Sequence, residues 1–206
     1  MSARIDHVVT SGTFSLDGQT FDVDNNVWVF GDDAECVVID APHAVAPIVE
    51  LVAGRTVKAI LCTHAHDDHV RVAPELSAAL HAPVLLHPDD LPLWRLAVGD
   101  EIPDGDLADG QEIEVAGTTL RVLHTPGHSP GAVCFHAPEL NVLFSGDTLF
   151  HGGPGATGRS FSDRHLLLRS ITDQLLALPP TTIVKTGHGD DTTLADERDG
   201  ILSADA

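Results

Sequence analysis

Three histidines and two aspartates, His64, His66, Asp67, Asp68 and His69, fall within six consecutive positions of the stretch THAHDDHV at residues 63–70. Imidazole and carboxylate together are metal-ligand chemistry; the mixture suits zinc, and also iron or manganese. His64 and His66 are two apart in a segment that reads as extended, so their rings lean the same way. Asp68 and His69 follow where the chain turns into a helix, and the turn carries them to a neighbouring position. One loop can thus serve two adjacent ions, but it cannot complete the coordination of either.

Further ligands must come from other strand ends, and three places offer them. TPGHSPG (125–131) sets His128 in a turn fixed by Pro126, Gly127, Pro130 and Gly131. FSGDTLF (144–150) sets Asp147 just after an apolar strand. KTGHGDD (185–191) sets His188 between two glycines after the last strand. Small or rigid neighbours at each place let backbone approach a site closely. Any one of these residues alone reads as well as a surface or core side chain. Five histidines and two aspartates, all at expected strand ends, read as one site.

The elements that must position them follow from periodicity. NVWVF (26–30) and ECVVID (35–40), separated by GDDA, predict a hairpin. Residues 42–54 have helical spacing and end at Gly54. VKAILCT (57–63) is a buried strand. From Asp67 to Leu80 the pattern is helical, with Asp67 or Asp68 placed to cap it. PVLLH (83–87) is a short strand, 88–98 a helix, and 99–110 an acidic, glycine-rich surface loop. Residues 118–125, 131–137 and 141–147 give three more strands. Residues 162–178 form an amphipathic helix, 182–189 a last strand, and TTLADERDG a short terminal helix. Hairpins and crossovers are mixed, so helix-covered sheets are expected. A chain of 206 residues without linker, repeat or low-complexity tract suits one domain, 1–206.

Composition limits the partners. With 43% hydrophobic residues the chain has material for a core. The formal net charge of −20 repels polyanions, which argues against nucleic acid and anionic membrane. A small anionic substrate stays open, because a bound divalent ion reverses the field locally. No apolar run is long enough to span a bilayer, and MSARIDHVVTSG has no apolar signal core; both predict a cytoplasmic protein. Cys36, Cys62 and Cys134 sit in apolar strand-like runs and are expected as buried, reduced thiols. Composition does not bear on oligomeric state.

T-H-A-H-D-D-H, with His128, Asp147 and His188 following in that order, resembles the metallo-β-lactamase superfamily. TPGHSPG, GDTLF and GHG look like its glyoxalase II (hydroxyacylglutathione hydrolase) branch, particularly short single-domain relatives. The resemblance covers nearly the whole chain. It implies an α+β fold, a four-layer αββα sandwich with the site at one edge of two facing sheets. It implies two divalent ions: His64, His66 and His128 on the first, Asp68, His69 and His188 on the second, and Asp147 bridging both. Asp40, ending VVID, falls where the family has a carboxylate that steadies a ligand histidine; it reads equally as a strand-end turn residue. Position 147 is Asp rather than the Cys typical of true β-lactamases, which counts against antibiotic hydrolysis.

Two ions sharing a hydroxide explain thioester cleavage. Metal binding lowers the pKa of water from 15.7 to roughly 7 and so supplies a nucleophile at neutral pH. A thiol of pKa about 8.5 departs as thiolate with little help from a general acid. Asp68 is expected to ligate and to orient that hydroxide. The expected function is therefore a binuclear metal-dependent thioester hydrolase. A mononuclear-iron persulfide dioxygenase using His64, His128 and Asp147, a lactonase, and a non-enzymatic metal-binding interaction module are the alternatives. Typical glyoxalase II enzymes add a C-terminal helical domain; only 18 residues follow His188, and the chain has no tyrosine. Substrate choice among glutathione, mycothiol and coenzyme A thioesters is left open, as is the metal.

The remaining histidines, His7, His43, His81, His87, His124, His136, His151 and His165, read as structural or exposed. His151 is the best exception, since FHGGPGATGRSFSD (150–163) should border the site. Arg159 in that segment either meets an anionic substrate or makes a surface ion pair. Asp67, Asp190 and Asp191 read as caps or solvated carboxylates, and Trp28 and Trp94 as packing residues.

Overall fold

The computed structural model describes residues 3–204. Two six-stranded sheets face one another, and helices cover their outer faces, an α+β sandwich. The first sheet runs β1 (Arg4–Leu16), β2 (Gln19–Gly31), β3 (Glu35–Ile39), β4 (Thr56–Leu61), β5 (Val84–Leu86) and β6 (Gly105–Asp106) in sequence order. The second is ordered β14-β13-β10-β9-β8-β7, from β7 (Glu112–Val115), β8 (Thr118–His124), β9 (Val133–Ala137), β10 (Val142–Gly146), β13 (Ile183–Thr186) and β14 (Thr192–Thr193). A small hairpin, β11 (Leu149–Phe150) and β12 (Gly153–Pro154), lies beside the second sheet's site end.

The period-2 pleat separates the layers residue by residue. On β2 and β3, Trp28, Phe30, Val37 and Ile39 point between the sheets, while Val27, Val29, Cys36 and Val38 point to the helix side. On β9 and β10, Val133, Phe135, Val142 and Phe144 enter the central layer, and Cys134 and Leu143 the outer one. Helices α1 (Val45–Val52), α3 (Ala73–Leu80) and α4 (Leu91–Ala97) cover the first sheet. Helices α5 (Arg164–Ser170) and α6 (Leu194–Ala204) cover the second. The two sheets are tied at the site end: Asn26 N–H donates to Gly187 O at 2.8 Å and Val133 N–H to Thr63 O at 2.8 Å. Among the described residues no helix is long and apolar enough to cross a membrane.

Several elements differ from the sequence expectation. β1 and the first half of β2 make a long hairpin that the sequence reading did not assign. Their outer residues are mostly exposed, so no apolar alternation marks them, and only Asp17-Gly18 at the tip carries a turn signal. The helix expected from Asp67 to Leu80 is two helices, α2 (Asp67–Val70) and α3, separated at Arg71 and Val72. Pro74 has no N–H to continue the ladder and instead sits in the first turn of α3. Asp67 and Asp68 do not cap: the N-cap is His66, without a side-chain bond. Asp67 instead accepts from Ser15 N–H at 3.0 Å and pairs with Arg71. The helix expected over 162–178 leaves α-geometry after Ser170 and finishes as a π-turn, Ile171–Leu175. The acidic loop 99–110 contains the two-residue strand β6.

Candidate metal centre

The loop after β4 enters the site pinned on both sides. Thr63 N–H and Oγ1–H donate to Asp40 at 2.7 and 2.8 Å, and Ala65 N–H donates to Asp90 at 2.8 Å. His64 and His66 are thereby held with their rings nearly perpendicular and centroids 4.7 Å apart. His128 comes in from the β8–β9 turn. The three nitrogens converge: His64 Nε2 and His128 Nε2 each lie 3.0 Å from His66 Nδ1.

The tautomers follow from the outward-facing nitrogens. Thr63 Oγ1 gives its proton to Asp40, so it accepts from His64 Nδ1–H at 3.1 Å, leaving Nε2 bare. His128 Nδ1–H donates to Ala156 O at 2.8 Å, again leaving Nε2 bare. Burial, helped by neighbouring imidazoles, depresses His64 and takes His66 down to about 3. Neutral imidazoles aiming lone pairs at one point repel unless a cation lies between them.

Asp68, His69 and His188 form a second group. His69 Nε2 is 3.2 Å from His188 Nε2, and His188 Nε2 is 3.4 Å from Asp68 Oδ2. Here too the outer nitrogens are anchored: His69 Nδ1–H to Asp40 Oδ2 at 2.8 Å and His188 Nδ1–H to Asp24 O at 2.7 Å. Asp147 lies between the groups. Its Oδ1 is 3.2 Å from His69 Nε2; its Oδ2 is 3.3 Å from His188 Nε2 and 3.6 Å from His128 Nε2. Asp147 Oδ1 is buried with no hydrogen-bond partner among the described residues. Gly187 makes the approach possible, because a Cβ there would sit 2.3 Å from that oxygen.

The electrostatics carry the same message. Burial penalises the Asp68 carboxylate, yet His69, His188 and Asn25 hold it down at about 2. Against its own desolvation, His188 is held up at about 10 by Asp147 and Asp68. Without an ion, protons on His69 and His188 supply the positive charge that Asp68 and Asp147 favour. The donor set fits two divalent ions: ligand atoms of His64, His66 and His128, of His64, His69 and Asp147, and of Asp68, His69 and His188 lie within 4.8 Å of one another.

All seven residues read from the sequence as ligands meet here, and Asp40 contacts His69 and Thr63 directly. His151 does not border the site: its side chain is 66% exposed and lies 3.7 Å from Glu197, because the β11–β12 hairpin turns it outward. Asn25, His43 and Asp90 were not read as site residues. Asn25 lies before the apolar run of β2, and Asp90 inside a helix-like stretch, with no ligand-type spacing to mark either.

The centre forms the floor of a cleft of about 370 Å³. Phe14, Val23, Phe150 and Ala156 give it apolar walls, and Arg159 is the one cationic Lys or Arg side chain among its lining residues. The Arg159 guanidinium lies over the Phe14 and Phe21 rings, 5.1 and 4.6 Å from their centroids, and no hydrogen bond or ion pair engages it among the described residues.

A helix-covered double sheet carrying His and Asp at the ends of its strands defines a class of metal-dependent proteins. Residues 20–188 match the metallo-beta-lactamase superfamily, and the chain belongs to it. A probable metallo-hydrolase of Bacillus subtilis, YqgX, is 34% identical over 188 residues, covering 84% of this chain and 89% of its own length. The hydroxyacylglutathione hydrolase of Fuscovulum blasticum is 33% identical over 169 residues, 80% of this chain but 62% of that protein. Among solved structures, the BLEG-1 B3 metallo-beta-lactamase superposes with a TM-score of 0.78 at 32% identity, over 92% of this chain and 97% of its own. TTHA1623 in a di-iron-bound form superposes with a TM-score of 0.77 at 38% identity, over 85% and 93%.

Proposed function

We propose that this chain is a dinuclear metallo-hydrolase of small thioesters. The observation that carries the reading is the shared carboxylate: Asp147 faces His128 with one oxygen and the His69–His188 pair with both, on the floor of an apolar cleft. His64, His66 and His128 would hold one ion, Asp68, His69 and His188 the other, with Asp147 between them. Bound divalent ions would supply an acidified water and polarise a carbonyl.

The side chains do the rest. Asp68, which accepts from Asn25 through Oδ2, would orient the attacking water. Phe14, Val23 and Phe150 would hold an acyl chain and exclude bulk water. Arg159, stacked and unpaired, would hold an anionic group at the mouth. A thiolate leaving group needs no acid positioned beside it, and the cleft lining offers no thiol, phenol or lysine ammonium for that purpose. Relatives that are hydroxyacylglutathione hydrolases support the thioester class; the lactamase neighbour makes β-lactams the comparison that counts.

The experiment is a substrate panel on metal-loaded protein: S-lactoylglutathione, a short neutral acyl thioester, a β-lactam, and a persulfide with oxygen uptake recorded. The expected result is a kcat/KM on thioesters at least a hundredfold above that on the β-lactam, with no oxygen consumed. A preference for the β-lactam, or oxygen uptake with a single iron per chain, would overturn the reading.

A further inference from the structure

Asn25 is 1% exposed and belongs to none of the ligand groups, yet its side-chain nitrogen faces three members of one group. Nδ2 is 3.1 Å from Asp68 Oδ2, 3.2 Å from His69 Nε2 and 3.4 Å from His188 Nε2. Its carbonyl faces elsewhere: His43 Nε2 lies 2.7 Å from Asn25 Oδ1. A carboxylate only accepts, so Nδ2 must face Asp68, and Oδ1 then requires a proton on His43 Nε2. His43 is itself boxed in. It packs against Gly12 of β1, where a Cβ would meet its Nδ1 at 2.3 Å, and that nitrogen is buried without a partner. The chain His43–Asn25–Asp68 therefore has one orientation, dictated by the Asp68 carboxylate and held at its outer end by His43.

Asn25 does not reach the three-histidine group, where Thr63 anchors His64, Ala156 O anchors His128, and His66 Nε2 has no partner among the described residues. We propose that Asn25, oriented by His43, is a positioning residue for the Asp68–His69–His188 half of the centre, and that the pair sets how tightly this half holds its ion while leaving the other half unaffected. By donating to Asp68 Oδ2, the oxygen that also faces His188 Nε2 at 3.4 Å, the amide fixes the carboxylate rotamer within the group. The inference rests on the two-ion reading above.

The test is metal titration of apo-protein, followed by equivalents bound per chain and by the optical spectrum of the cobalt-substituted form. Wild type is expected to take two equivalents. Asn25→Leu should weaken the second equivalent about 10- to 100-fold, the usual effect of removing a group that orients a ligand, and leave the first unchanged. His43→Leu should act in the same direction, and His43→Gln, which can still donate to Asn25 Oδ1, should restore binding. His43 is only half-buried, so its variants carry the test if Asn25→Leu does not fold. If wild type takes two ions and the folded Leu variants bind both unchanged, or weaken both equally, the inference is overturned. If wild type takes one ion, the dinuclear reading itself fails.

Discussion

Ser129 donates to Asp90 Oδ2 at 2.8 Å, and the same oxygen accepts Ala65 N–H at 2.8 Å while Oδ1 takes Gly131 N–H. One fully buried carboxylate thus binds the loop of His64 and His66 to the turn of His128. Burial pushes Asp90 upward against these hydrogen bonds, so the side chain is there because three donors need it. Asp90→Ala leaves those donors unpaired and buried. It should cost about 3 kcal/mol or more, roughly a 10 °C fall in Tm for a chain of this size, and loosen metal at the three-histidine group. Unchanged Tm and unchanged metal content would refute the role.

Asp147 borders both ligand groups, whereas every other ligand belongs to one side or reaches the centre through one nitrogen or oxygen. Asp147→Ala should therefore lose metal from both halves. Removing His66 or His188 should leave about one equivalent on the intact half. Elemental analysis of freshly purified variants decides this. An Asp147→Ala protein that keeps two equivalents and full turnover would show that the carboxylate is not shared.

How much of this was legible in the sequence depends on what each residue answers to. His64, His66, Asp68 and His69 were readable because they crowd into six positions after an apolar strand, and His128, Asp147 and His188 because each stands at a strand end next to glycine, a neighbour visible in one dimension. The central strands were readable because burial on both faces gives runs such as ECVVID. β1 and the first half of β2 were not: their residues are mostly exposed, so Phe14, Phe21 and Val23 follow the cleft and not a core period. Asn25, His43 and Asp90 were not legible either. Each acts through a partner distant in the chain, 43 residues for Asn25 and Asp68 and 41 for Asp90 and Gly131, and no local spacing records such a pairing.

The metal-free protein should be proton-loaded at its centre. His188 sits at about 10 and His69 is also raised, each through carboxylate neighbours and against desolvation. Metal ligation needs the bare nitrogens, so filling the site at pH 7.5 should release at least one proton per chain, measurable by calorimetry in buffers of different ionisation enthalpy. For stability the sign is that of a raised imidazole: the contribution is fully present below about 6.5, the unfolded value, and is lost as pH rises towards 10. Apo-protein Tm should fall across that interval, and a His188→Ala apo-protein should show a flatter profile. Proton-neutral metal uptake would contradict the assignment.

Cys36, Cys62 and Cys134 are all buried and unpaired. Desolvation raises all three thiols, Cys134 to about 11. None is a nucleophile at neutral pH. Native protein should resist alkylation for as long as it stays folded, and Cys→Ala or Cys→Val variants should lower Tm more than kcat. A hundredfold fall in kcat in a folded, metal-loaded variant would assign that thiol a role the geometry does not provide.

Substrate choice turns on Arg159. The chain carries a net charge of −20, so the field at the cleft mouth opposes an anionic substrate, and Arg159 is the lining residue that reverses it locally. Its guanidinium lies over Phe14 and Phe21 with its donors unengaged, which suits a planar carboxylate. Arg159→Met should raise KM for a carboxylate-bearing thioester such as S-lactoylglutathione about tenfold, or about 1.4 kcal/mol of binding, with kcat little changed. A neutral acyl thioester should be indifferent to the change. Arg159→Lys should recover only part of the loss, because an ammonium does not stack or bind bidentately. Added salt should lower KM for the anionic substrate in the Met variant, where only repulsion is left to screen, and change it less in wild type. Equal effects on charged and neutral thioesters would mean that Arg159 shapes the wall and does not read the substrate's charge.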